Sequence, residues 1–186
     1  MAACGEDEPV EPTSSTTVSP LPGDSSTTSA SGSSTSSSST SASSDGPEMP
    51  SDLPDAAREE TKAGAAAFGK YYYEALGEAS HTGETSSVKQ LDAKDCNVCS
   101  TAVNNIDKEH AKGWSRSMNP YTVSRVKAVE RPDTGYKVSM EVKVAAHKRV
   151  DKDGKENGNV KAINYTLTEH VIWQDGRWQM LDWIVT

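Results

Sequence analysis

The sequence predicts an α+β fold, with N-terminal helices packed on a curved antiparallel sheet of about four strands. Two observations carry the prediction. Apolar residues recur at intervals of three and four between Ala65 and His110, and at intervals of two from Tyr121 onward. The helical segments come first and the strands follow as a run, the order expected when helices gather on one face of an antiparallel sheet. A third observation sets the extent of the fold: the one Phe, six Tyr and four Trp all fall between Phe68 and Trp183. A segment without such residues cannot bury enough surface to offset the entropy of ordering. The folded domain is therefore expected over residues 53–186.

The first helix starts behind Leu53-Pro54, because proline suits a first helical turn and Asp55, Glu59 and Glu60 suit the positive end of the helix dipole. Ala65, Phe68, Tyr72, Leu76 and Ala79 give it one apolar face, and Gly77 to Gly83 ends it. Ser87 to Leu91 reads as a short helical piece. Asp95 is expected to cap a further helix with Cys96, Cys99, Val103, Ile106 and His110 on one face, closed by Gly113. Tyr136, Val138, Met140, Val142 and Val144 alternate with polar residues and form the clearest strand. Tyr121 to Val129 alternates less well, since Val123 and Val126 differ in parity, which implies a bulge or an early stop. Asp151 to Asn159, with its Asp-Gly and Asn-Gly pairs, reads as a long hairpin loop. Val160 to Trp173 reads as a long strand, Asp175-Gly176 as a tight turn, and Trp178 to Val185 as the last strand.

The net charge of −8 is unevenly placed. Residues 1–57 hold nine acids and no Lys or Arg, which leaves 18 acids against 19 bases in the remainder. The domain is thus nearly neutral and has no basic stripe, so nucleic acid is not an expected partner. No apolar run approaches the roughly 18 residues that span a bilayer.

Met1-Ala2-Ala3-Cys4-Gly5 resembles the end of a bacterial lipoprotein signal, in which small residues precede an acylated cysteine. Residues 1–5 are accordingly expected to hold a signal remnant and the lipidation site, Cys4. The charged and apolar regions of such a signal would lie before Met1, lost through a late start or trimming. Residues 6–52 are expected to be a disordered linker. Between Thr13 and Ser44, 23 of 32 residues are Ser or Thr, a composition that reads as a flexible spacer open to O-glycosylation.

The order of helices followed by strands, ending in Trp173-Gln-Asp-Gly-Arg-Trp178-Gln-Met-Leu, looks like the cone-shaped nuclear transport factor 2-like superfamily. More narrowly, Pro54, Ala57-Arg58-Glu59, Thr61, Gly64-Ala65, Phe68, Tyr72, Thr82-Gly83 and Asp95-Cys96-x-x-Cys99 resemble an uncharacterised family of actinobacterial lipoproteins. The first resemblance implies dehydratases, isomerases or pure binding domains; the second implies a location and no chemistry.

Cys96 and Cys99, at i and i+3 where a helix starts, can reach disulfide distance. Outside the membrane they are expected to be oxidised. The competing reading is a redox pair, but that motif normally follows a strand, and no strand is expected before Asp95. A zinc site drawing on His81 or His110 would match no standard spacing, so neither metal nor cofactor is expected. In a cone, acid–base chemistry needs a carboxylate or His in the cavity beside a Tyr. The candidates are His170 and Asp182 with Tyr72 or Tyr136, set against the ordinary reading of a packed strand histidine and an edge aspartate. Phe68, Tyr72, Tyr136, Met140 and Trp183 are the candidate lining of a ligand pocket, or else plain core. Taken together, these features lead to the expectation of a surface-tethered, non-catalytic domain on the outer face of the membrane. It would bind a small molecule, a cell-wall component or another envelope protein. The alternative is a cone-fold enzyme of isomerase or dehydratase type. A homodimer through the sheet is a further expectation.

Overall fold

The computed structural model describes residues 49–186. Cys4 and the Ser/Thr tract lie outside the described residues. The expected α+β class is observed: three α-helices pack against antiparallel strands that form two sheets rather than one.

The first helical segment is broken in two. A 3₁₀ turn, Asp55–Arg58, precedes α1, Lys62–Thr82. The break has a physical cause: the Glu59 carbonyl accepts from the Trp178 indole N–H at 2.9 Å and so leaves the helical ladder. Gly64 permits this approach, because a β-carbon there would lie 3.1 Å from Trp178 Nε1 and closer still to the Glu59 carbonyl. Thr61 then restarts the helix, its hydroxyl accepting from Gly64 N at 2.9 Å. The buried face of α1 carries Ala65, Phe68, Tyr72, Tyr73 and Leu76. Rings of this size each remove about 150–250 Å² from water, so this face supplies much of the core.

The helix α2, Ser86–Leu91, buries Val88 and Leu91. In α3, Asn97–Ala111, the N-cap is Cys96 and not Asp95: the Cys96 sulfur accepts from Cys99 N at 3.2 Å. Cys96 and Cys99 are joined as a disulfide with their Cα atoms 5.3 Å apart, and both are buried. Cys99 and Val103 face the core, Ile106 is half-buried, and His110 is exposed.

The strands are β1 (Trp114–Arg116), β2 (Tyr121–Glu130), β3 (Tyr136–Val144), β4 (His147–Asp151), β5 (Glu156–Val160), β6 (Ile163–Gln174) and β7 (Arg177–Val185). The larger sheet has the order β2-β3-β6-β7, with the helices on one face. Its inner face carries Val138, Met140, Val142, Leu167, Val171, Trp178 and Met180, all buried. Asp175 and Gly176, at φ 54° and 74°, form the tight turn between β6 and β7. Both positions need the left-handed region that Asp tolerates and Gly enters freely.

The smaller sheet, β1-β4-β5, corrects the expected long loop. The β3–β6 ladder ends at Val144↔Ile163 and resumes as β4–β5 at His147↔Val160. The result is one ribbon interrupted at Ala145-Ala146 and Lys161-Ala162, whose distal arm pairs with β1. Only the first of the two turn signals closes it: Asp151 Oδ1 accepts from Asp153 N and Lys155 N at 3.0 and 2.9 Å.

Both edges of the larger sheet are blunted. On β2 the register slips between Ser124 and Lys127, and Arg125 at that bulge has φ 52°. On β7, Met180 O accepts from Ala93 N at 2.8 Å, and Trp183 N donates to the Asp182 side chain at 2.9 Å.

Candidate functional site

A cleft of about 660 Å³ opens between α3, the C-terminal half of α1 and the arm. The i, i+4 spacing of Val98, Ala102 and Ile106 turns one stripe of α3 toward it, and Leu76, Tyr73 and Trp183 form much of the apolar floor. Tyr73 is packed between rings, tilted against Tyr121 at 5.0 Å and edge-on to Trp183 at 6.2 Å. Its hydroxyl shares a hydrogen bond of 2.6 Å with Tyr165, and burial followed by that bond raises its pKa far above the ordinary tyrosine range.

The rim is cationic. Lys108, Lys112, Arg116 and Arg149 line the cleft with one acid, Glu109. Arg149 lies over the Trp114 ring at 5.2 Å and pairs with Glu109 at 3.4 Å. Arg116 is held differently. Its Nη1 donates to His147 Nε2 at 2.8 Å, and His147 Nδ1 donates to Ala145 O at 2.8 Å. A guanidinium can only donate and a carbonyl can only accept, so His147 must be the neutral tautomer protonated on Nδ1. His147 is buried, which fixes the guanidinium from behind. The main-chain carbonyl of Arg116 is fixed as well, accepting from His81 Nδ1 at 2.7 Å. No carboxylate pairs with Arg116 among the described residues.

Two further acids lie outside the cleft. Glu169 is 1% exposed, and neither carboxyl oxygen has a hydrogen-bond partner among the described residues. Burial holds its pKa well above the ordinary carboxylate range, so it is neutral where other carboxyls ionise. Gly69 makes room for it: a β-carbon there would collide with the Glu169 carboxyl. Asp92 accepts from the Tyr72 hydroxyl at 2.8 Å. Burial pushes Asp92 up to about 6, and the Tyr72 bond opposes that rise. Burial, then the neighbouring Asp92, drives the Tyr72 hydroxyl far above its ordinary value. None of Glu169, Asp92 and Tyr72 lines the cleft.

The residues singled out from the sequence are scattered. His170 and Asp182 are register partners on the outer face of the sheet, away from the cleft. His170 Nε2 bonds to Thr134 O at 2.9 Å, and Asp182 is exposed. Strict alternation along the last strand would put Asp182 on the same face as Met180. A register shift between His170 and Val171 prevents that, by leaving Leu181 as an extra residue on β7. Met180 and Trp183 therefore both point inward while Asp182 points out. Of the five expected pocket residues only Trp183 lines the cleft. Phe68, Tyr72 and Met140 are sealed in the core, and Tyr136 packs edge-on against Trp178 at 5.7 Å. Sequence reasoning passed over Arg116, His147 and Glu169. Glu169 had a signal, being the one acid in the alternating series Tyr165, Leu167, Glu169, Val171, Trp173. Arg116 and His147 had none, because they meet only through the pairing of β1 with β4. Among the described residues no three His, Cys, Asp or Glu lie close enough to hold a metal ion.

Fold and site thus define a small α+β domain with an amphipathic cleft, to which the sequence-expected His170 and Asp182 do not contribute. Residues 30–183 match a family of unknown function, DUF6318, and the chain belongs to that family. None of the curated proteins matches the sequence closely enough to count as a relative. Among solved structures, the intermembrane space region of the chloroplast protein ARC6 aligns with a TM-score of 0.52 at 12% identity. That alignment covers 68% of this chain and 97% of the other, a likeness of fold alone. Aln2 from a Streptomyces species aligns with a TM-score of 0.44 at 6% identity, over 74% of this chain and 93% of its own.

Proposed function

We propose that this chain is a surface-tethered binding domain without catalytic activity, held through a lipid on Cys4 by the Ser/Thr-rich linker. The helices on a curved sheet are read as a cone of the nuclear transport factor 2-like kind. The observation that carries the binding reading is the chemistry of the cleft: an apolar floor, a polar rim, and fixed donors, the usual makeup of a small-molecule site. The enzyme reading loses support, because His170 and Asp182 stand on the far face of the sheet and neither Tyr72 nor Asp92 lines the cleft. A flexible chain of this linker's length spans roughly 35–40 Å, enough to stand the domain off a membrane surface.

Mass spectrometry of the full chain taken from native membranes tests both parts. A diacylglyceryl adduct on Cys4 is expected, together with a non-covalent passenger that Ala102→Trp, which fills the cleft, excludes. A cytosolic chain with an unmodified Cys4 would sink the tether. A passenger retained by Ala102→Trp would place binding elsewhere.

A further inference from the structure

The Arg116 guanidinium is the best-built polar feature of the cleft, and its own domain leaves it without a counter-charge. Its position is fixed from two sides, by the His147 ring and by the His81 bond to its carbonyl. Arginine presents five N–H donors, and among the described residues one nitrogen of Arg116 finds an acceptor, the uncharged His147. Tyr121 faces the guanidinium at 6.0 Å, which leaves its planar edge for a further partner. The cleft as a whole repeats this bias. Its lining carries four Lys and Arg against one Glu, within residues 58–186 that hold 19 bases and 18 acids. Positive charge that averages out over the domain is therefore gathered here. Beside it run Val98, Ala102 and Ile106 on one wall and Trp183 on the floor, an apolar surface that a bare anion could not use.

Resting on the binding reading above, we propose that the cleft takes an anionic amphiphile. Its carboxylate or phosphate sits on the fork of Arg116, and its apolar body lies along Val98, Ala102, Ile106 and Trp183. A planar guanidinium matches either oxyanion with two parallel hydrogen bonds. Arg149 and Lys112 share the single carboxylate of Glu109, at 3.4 and 3.8 Å, which leaves a net positive charge at the mouth to draw an anion in. The wall of α3 gives the tail a dry surface, so neither half of the ligand is sufficient alone.

Calorimetric titration of the full chain with decanoate, decyl phosphate, decanol, decyltrimethylammonium and inorganic phosphate is the test, with Trp183 emission as a second readout. Decanoate and decyl phosphate are expected to bind at least tenfold more tightly than decanol or inorganic phosphate, and the cationic amphiphile not at all. Arg116→Gln is expected to remove that tenfold preference, bringing decanoate and decyl phosphate to the affinity of decanol. Should Arg116→Gln misfold, Arg149→Gln at the exposed rim is expected to weaken only the anionic amphiphiles, about two- to fivefold. Equal affinity for decanol and decanoate would overturn the proposal, as would inorganic phosphate binding as well as decyl phosphate. Either result would leave a ligand-binding cleft standing. If no amphiphile of any charge binds, the proposal is overturned as well, whereas the binding reading falls only if the native chain carries no passenger in the cleft.

Discussion

Glu169 is the residue whose environment most conflicts with its chemistry. A carboxyl buried without a partner carries a penalty of about 1–3 kcal/mol, so Glu169→Met is expected to raise stability by that amount in denaturant titrations at neutral pH. Its raised pKa means that the folded chain binds the Glu169 proton more tightly than the unfolded chain does. The associated stability is complete below the unfolded carboxylate value and is lost as pH rises through the folded one. Asp92, pushed up to about 6, adds a smaller loss of the same sign between roughly pH 4 and 6. Unfolding free energies measured between pH 4 and 8 should therefore decline with this pair's contribution, and Glu169→Gln should flatten the decline. A slope unchanged in Glu169→Gln would mean that the group is ionised after all. Gly69→Ala, which drives a methyl group into the same carboxyl, is expected to cost about 1–3 kcal/mol. Parity along β6 already placed Glu169 on the apolar face. What the sequence withheld was the bulge that turned Asp182 away.

At the scale of elements, periodicity was readable wherever a segment was long enough to repeat. α3, β3 and β7 fall where the apolar spacing puts them, α1 starts at Lys62 rather than behind Pro54, β6 starts at Ile163 with the expected Val160 ending β5 instead, and the parity slip at Val123 and Val126 marks the bulge on β2. β1, three residues long, has no period to read. The arm was hidden by its composition: Asp-Gly and Asn-Gly both signal turns, yet Gly158 sits within β5 at φ 112° while Gly154 makes the turn. Two element ends can be tested directly. Thr61→Ala removes the cap of α1 and is expected to cost about 1 kcal/mol. Reducing the Cys96–Cys99 bond relaxes a very short loop and should cost about 2 kcal/mol, seen as a lower midpoint in dithiothreitol. A loss well above that would mean that the bridge holds more of the core than the first turn of α3.

For the whole molecule, the fold class followed from the order of helices and strands, but the cleft did not. It forms where α3 faces an arm about 40 residues further along the chain, and no local pattern records that apposition. The expected division at residue 53 falls a few residues late, since Pro50 is buried and Asp52 accepts from the Tyr71 hydroxyl at 2.8 Å; residues 49–186 alone should unfold at the same denaturant midpoint as the full chain. A lower midpoint would show that the Ser/Thr-rich segment contributes to stability. The two blunted margins of the larger sheet bear on how copies of this domain meet. A strand edge with free amides acts as a template on which another chain can lengthen the sheet without limit. Here one margin is kinked at Arg125, and the other has its Trp183 amide occupied by Asp182. Both features work against a second copy lengthening this sheet edge to edge.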